Sequence, residues 1–314
     1  MRARATLRRL APAMACVGVV TASGCGLGAG DSPGGASVLV TRDFGAVKVG
    51  SVTVKQAPGS ETVLRFLQRR FTVTTRYGGG FVQSIDGVSG GRAGGRPVDW
   101  FYYVNGIEAG QGAAATRIRD GDRTWWDHHD WGATMRIPAV VGSFPEPFLH
   151  GRGGRRFPLR IECAEGSRPA CDEVSRRLAA AGGKPAIAAL GERSDLDIVR
   201  VLVGPWSAVR RDNATAQLDR GPAASGVYAR FTAGGTRLVI LDSRGRPART
   251  LGAGAGLVAA TSIGEQAPTW MVTGTDGDGA LAAARRLTPA ALAGRFALAL
   301  APDGASVRTP GASP

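Results

Sequence analysis

The stretch from Asp99 to Trp131 constrains this chain more than any other. It opens D-W-F-Y-Y-V-N-G, an aromatic run of strand-forming residues that stops at Asn105-Gly106. Both residues of that pair tolerate positive φ, so the run predicts a strand entering a tight hairpin turn. A second turn is written at Asp120-Gly121-Asp122, and Thr124, Trp125 and Trp126 then resume strand-forming character up to Trp131. The prediction is a sheet whose adjacent strands carry most of the chain's tryptophan.

The residues before this stretch supply the rest of such a sheet. Val38 to Thr41 and Val47 to Val54 alternate as strands, and Ser60 to Phe71 reads as a helix with Ser60 as N-cap. Val63, Leu64, Leu67 and Phe71 fall on one face of it, while Arg65, Gln68 and Arg69 face out. Two strands, a helix and further strands follow the order of a β-grasp unit.

These motifs also carry a family resemblance. G-G-G-F-V-Q-S-I-D-G-V from Gly78, then W-F-Y-Y-V-N-G, then D-G-D followed by tryptophan, resemble the transcobalamin C-terminal-like family over roughly Val38 to Ile137. That resemblance implies a β-grasp fold of the kind found in bacterial surface proteins. In the vertebrate carriers the domain closes over cobalamin, so it also implies a corrinoid or other planar small molecule as ligand class.

The N-terminus, M-R-A-R-A-T-L-R-R-L, is basic and leads into an uncharged run that ends T-A-S-G-C. A basic segment, a short apolar segment and small residues before a cut site predict a secretory signal over residues 1–24. The run is too short for a membrane span, which needs roughly 20 apolar residues. Ala22, Ser23, Gly24 and Cys25 resemble a lipobox with alanine in the place of the usual leucine, which marks Cys25 for lipidation and predicts an anchored protein on the extracytoplasmic face of the cell membrane, with a simply cleaved signal and ordinary secretion as the alternative. The Gly-rich residues 25–36 read as a tether. Of the four cysteines, Cys16 falls within the signal, which leaves Cys163 and Cys171 to pair as a disulfide in an oxidising compartment.

After the β-grasp unit over 37–139, residues 140–156 carry the prolines, glycines and charges of a linker. A second fold of α/β or α+β type is expected over 157–301, giving an α+β protein overall. Its elements are predicted as strand Phe157 to Cys163, helix Cys171 to Ala181, short strand Ala186 to Leu190, strand Leu196 to Val203 and helix Pro205 to Leu218. An antiparallel meander from Val227 to Thr250 follows, then strand Thr269 to Thr273, helix Asp278 to Leu287 and strand Arg295 to Leu300. V-L-V-G at Val201 and M-V-T-G at Met271 each lead through a helix to a Pro-Ala-Ala segment, the pattern of a duplicated strand–glycine–helix–strand unit. Residues 302–314 are expected to be a disordered tail.

Chemistry is sparse. His128 and His129 are neighbours and point to opposite faces of a strand, so they make a poor metal pair. Asp120 with Asp122 is explained by turn formation, and no nucleophile elbow occurs. No catalytic residue, cofactor or metal site is predicted, and the chain reads as a non-enzyme. The formal net charge of +14 comes from scattered arginine with no basic helix or nucleic-acid-binding motif, so nucleic acid is an unsuitable partner and anionic lipid or wall polymer a better one. What remains is the aromatic cluster. Trp100, Tyr102, Asn105, Trp125, Trp126 and Trp131 form the candidate ligand site, with one of Trp125 and Trp126 facing the core and the other presented outward. The expected function is a lipid-anchored extracytoplasmic binding protein acting in uptake, with a membrane transporter as partner. The rival is an envelope module that docks a protein or wall polymer.

Overall fold

The computed structural model describes residues 35–57, 59–193 and 197–312. The signal segment, Cys25 and most of the tether lie outside the described residues. The protein is α+β, with two regions of sheet and few helices.

The first region holds β1 (Ala36–Arg42), β2 (Val47–Val54), α1 (Val63–Gln68), β3 (Val73–Arg76), β4 (Phe81–Ile85), β5 (Val88–Ser89), β6 (Gly91–Ala93), β7 (Arg96–Val104), β8 (Ile107–Glu108) and β9 (Arg123–Asp130). Its main sheet runs β2-β1-β9-β7-β6, with β8 paired to β7. β1 and β9 are parallel at its centre, and the flanking pairs are antiparallel. That is the β-grasp order. α1 packs on one face beside a small β3-β4-β5 sheet. The helix is shorter than predicted, because Thr62 and not Ser60 caps it, accepting from the Arg65 N–H.

The second region holds β10 (Leu159–Cys163), α2 (Arg168–Ala180), β11 (Ala186–Ala189), β12 (Val199–Pro205), α3 (Trp206–Val209), α4 (Pro222–Ser225), β13 (Ala229–Phe231), β14 (Leu238–Leu241), β15 (Pro247–Leu251), β16 (Gly256–Thr261), β17 (Thr269–Gly274), α5 (Gly277–Arg285), α6 (Pro289–Leu292), β18 (Ala297–Leu300) and β19 (Ser306–Thr309). The large sheet runs β11-β10-β12-β17-β16-β18-β19. Its first four strands are parallel and the rest antiparallel. β12 and β17 are buried over most of their length because both faces are covered, and Val201–Val203 and Trp270–Val272 read as continuous apolar runs. Val201 and Val203 face α2 and α5, whereas Leu202 and Met271 face the three-stranded β13-β14-β15 sheet.

Several expectations are corrected here. The helix predicted from Pro205 to Leu218 is one turn, α3, followed by a 3₁₀ segment at Thr215–Arg220. β16 had no counterpart in the sequence reading. Within the expected disordered tail, Ser306–Thr309 forms β19 and completes a hairpin with β18. The two strand–glycine–helix units lie side by side, with β12 paired to β17. Their final strands diverge: β13 joins the three-stranded sheet, and β18 returns to the large one. The stretch read as a linker contributes Val140, Val141, Phe144 and Phe148 to the core.

Candidate functional site

Strand alternation divides the aromatic cluster between two faces, and both are covered. Trp100, Tyr102 and Trp126 lie on the α1 side, with Tyr102 stacked on Trp126 at 4.6 Å. Phe101, Tyr103 and Trp125 lie on the other face, where Phe296, Tyr228 and Val239 of the second region close over them. Trp125 and Trp126 are each 2% exposed and Trp100 is 5%. The expectation that one of the two tryptophans is presented to a ligand is therefore corrected. Sequence periodicity gave the alternation, but the residues covering the second face come from more than a hundred positions downstream. Trp131, at the end of β9, is half-buried.

The polar members of the predicted set act as framework. Asn105 occupies the left-handed region at φ 55°, and Gly106 follows at 75°, as the tight turn requires. The Asn105 amide is fully buried and donates to Asp122 Oδ1 (2.8 Å) and the Gly151 carbonyl (3.0 Å), while its own oxygen accepts from the Arg123 N–H (2.9 Å). One side chain thus ties together the hairpin, the Asp-Gly-Asp turn and residue 151. The Tyr102 hydroxyl donates to the Gln111 carbonyl and shares a hydrogen bond with Thr116 Oγ1 at 2.8 Å, which fixes the 109–119 loop over the sheet.

These ties frame a cleft of about 310 Å³. Val104, Ile107, Ala109 and Pro138 give it an apolar floor. Arg117, Arg119, Arg136 and Arg152 rim it with two glutamates, Glu108 and Glu265. The Arg136 guanidinium donates to Glu108 at 3.1 Å. Burial raises the Glu108 carboxyl above its ordinary value, opposed by that arginine. Arg152 Nη2 donates to the Glu265 backbone carbonyl at 2.6 Å, whereas the Glu265 carboxylate is 3.8 Å from Arg152 and 83% exposed. The predicted residues Tyr102 and Asn105 stand behind this cleft and hold its walls.

A second, more open and more polar cleft of about 910 Å³ lies in the second region, lined by Arg160, Arg193, Asp197, Arg200 and Asp212. Ligands of open α/β sheets sit beyond the carboxyl ends of parallel strands. Here a Cβ on Gly204 would stand 2.5 Å from Ala164 Cβ, and one on Gly274 would stand 2.4 Å from the Gly279 backbone, so both junctions are packed shut. His128 and His129 point to opposite faces as expected: His128 Nε2 meets the Ser89 carbonyl, and His129 Nδ1 meets the buried Asp127 carboxylate at 2.9 Å. Asp127 also accepts from the Phe44 and Gly45 N–H groups and from Thr41. Among the described residues, no three His, Cys, Asp or Glu side chains converge on one point. Cys163 and Cys171 are disulfide-bonded, joining the end of β10 to the first turn of α2.

Residues 60–130 match a domain of unknown function, DUF4430. The DUF4430 stretch runs from α1 through β9 and includes the hairpin, the 109–119 loop and two of the four cleft arginines. It stops short of β1 and β2, which complete the sheet. A solved structure from Ruminococcus gnavus ATCC 29149, described as "a putative metal binding protein", is similar at 13% identity over 31% of this chain and 96% of its own, with a TM-score of 0.26. No curated protein matches.

Sequence reasoning passed over the cleft's own residues. The signal that could have found two of them is R-I-R at 117–119, where a buried Ile118 flanked by exposed arginines marks an extended segment with a charged outer side. Arg136, Arg152 and Glu265 carry no local signal, because their neighbourhood is made by tertiary contact.

Proposed function

We propose that this protein is a lipid-anchored, extracytoplasmic binding protein that holds a small molecule in the cleft between the β7–β8 hairpin, the 109–119 loop and the turns at 152–153 and 262–265. The cleft carries this reading, since an apolar floor with a few convergent polar side chains is the usual construction of a small-molecule site. The signal-like N-terminus ending at Cys25 and the Cys163–Cys171 bridge support an oxidising, extracytoplasmic setting. Binding rather than catalysis fits a rim of arginines and partnered glutamates. A membrane transporter is the natural partner for such a carrier.

A volume of about 310 Å³ sits at the low end for ligand pockets. A corrinoid would enter it by a side arm, with the ring lying across the rim. The resemblance to cobalamin carriers therefore makes cobalamin, cobinamide and haem worth testing beside small solutes. Purified mature protein is heated with each compound and the melting temperature followed. Gly110, whose Cβ direction is open, is the position at which a tryptophan blocks the mouth. Protection by a solute that disappears in Gly110→Trp supports the cleft as the site. Protection unchanged in that variant places binding elsewhere, and no protection by any solute favours an envelope module that docks a protein or wall polymer. Cys25→Ser should release the protein into the medium, and retention at the membrane would contradict the anchor.

A further inference from the structure

Resting on the assignment of the cleft above, we infer that its ligand is a compact organic anion, a carboxylate or phosphate monoester whose apolar body lies on Val104, Ile107 and Pro138 while Arg117 and Arg119 hold the charge. Two arginines without a carboxylate partner stand beside an apolar floor. Of the four arginines at the rim, Arg136 is paired with Glu108 and Arg152 loosely with Glu265. Arg117 and Arg119 have no carboxylate within ion-pair distance among the described residues, although they line the same cleft.

Their placement follows from the backbone. Ile118 is 3% exposed and packs in the core beneath α1, its N–H donating to the Glu61 carbonyl, and Arg117 bridges to Thr62. With Ile118 turned inward in an extended segment, the side chains on both sides of it leave on the outer side. Asp122 acts on Arg119 electrostatically, but no ion pair joins the two side chains: Asp122 Oδ1 accepts from the Asn105 amide and Oδ2 from the Arg119 backbone N–H. Arg119 is further confined by Gly154, where a Cβ would come within 2.9 Å of Nε. Guanidinium groups recognise carboxylate and phosphate oxygens through paired N–H donors; a cation would be repelled, and a neutral polar ligand would accept hydrogen bonds but leave the charge without a partner. Arg152, anchored by a backbone carbonyl, lines the same cleft.

Isothermal titration of the mature chain with phenyl phosphate, benzoate and the neutral benzyl alcohol tests this, with phosphatidylglycerol vesicles as a separate arm. The anions should bind saturably, more weakly as salt rises, and the alcohol should not. Arg117→Gln and Arg119→Gln should each weaken the anions by roughly tenfold, the worth of one charge-assisted hydrogen bond, with Arg117→Lys retaining part of the affinity. If benzyl alcohol binds as tightly as benzoate and Gly110→Trp removes both, the cleft stands as a binding site and the anion inference falls. Failure of both anions overturns the inference, while the solute panel with Gly110→Trp judges the cleft separately. Binding to vesicles that phenyl phosphate does not displace would assign the arginines to the lipid surface and equally overturn it.

Discussion

The two sheet regions close their cores by different means. In the first, large rings pack beside buried polar side chains: Asn105, Asp122 and Asp127 each make several hydrogen bonds, Tyr102 stacks on Trp126, and Tyr103 tilts against Trp125. In the second, small residues let backbones approach. Ala280, Ala283 and Ala284 of α5 lie against β16 and β17, where Gly256, Gly274 and Gly279 leave no room for a Cβ. Hydrogen-bonded posts can hold a loop away from the sheet, and the cleft lies where Tyr102 and Asn105 do so. Close glycine contact leaves no such gap, and the carboxyl ends of β12 and β17 are closed.

That contrast can be broken most sharply at Trp126. Truncating it to alanine removes the largest ring under the 109–119 loop, and denaturant unfolding should show a loss of about 3–5 kcal/mol, together with loss of any ligand protection at the cleft. A loss confined to a few tenths would mean the aromatic half does not depend on its rings. In the second region, replacing Cys163 and Cys171 together by serine opens a short loop and should cost about 2–3 kcal/mol, with no effect on the cleft. Gly274→Ala drives a methyl into the Gly279–Ala280 backbone and should cost about 1–3 kcal/mol. An unchanged melting temperature would show that α5 is free to shift.

The smallest expected effects are on pH dependence, and they have opposite signs at His150, between the two regions in sequence, and at Glu162 in the second. His150 covers Gly121, and its hydrogen bond to Glu146 raises the imidazole above its ordinary value near 6.5. Its contribution to stability is fully present below that ordinary value and is lost as pH rises through the raised one. His150→Gln should flatten that slope. Burial alone would raise the Glu162 carboxyl, but Arg200 and Arg160 hold it below its ordinary value. Its contribution is present above the ordinary carboxylate value of 4.5 and is lost as pH falls through the lowered one. Melting curves of wild type, His150→Gln and Glu162→Gln across acidic to mildly alkaline pH would separate the two, and a common slope in all three would refute both assignments.

Much of the fold could be read locally. Asn105-Gly106 specifies its hairpin because few residue pairs accept two successive positive φ angles, and β7 and β9 announce themselves by strand-forming aromatics. β16 escaped because G-L-V-A-A-T, buried on both faces, has no alternation to separate it from loop or helix. The helix expected after Gly204 shrank to one turn because side chains take over its backbone partners: Asp212 Oδ1 accepts from the Ala214 N–H, and Thr215 Oγ1 donates to the Val209 carbonyl. β19 escaped because its exposed positions and flanking glycines look like a tail until β18 is there to pair with it.

Local pattern by itself determined the α+β class, the β-grasp order and the alternation of rings along β7 and β9, since turn chemistry and side-chain period act over a few residues, while the Cys163–Cys171 pairing followed from setting the two N-terminal cysteines aside. Only the tertiary structure decided which rings would be covered, because Phe296, Tyr228 and Val239 reach them from far along the chain. It likewise decided where charge would be left unneutralised: Arg117 and Arg119 line a cleft only because Asn105 and Tyr102 fix distant segments around them, and hydrogen bonds between such segments have no signature in a linear pattern.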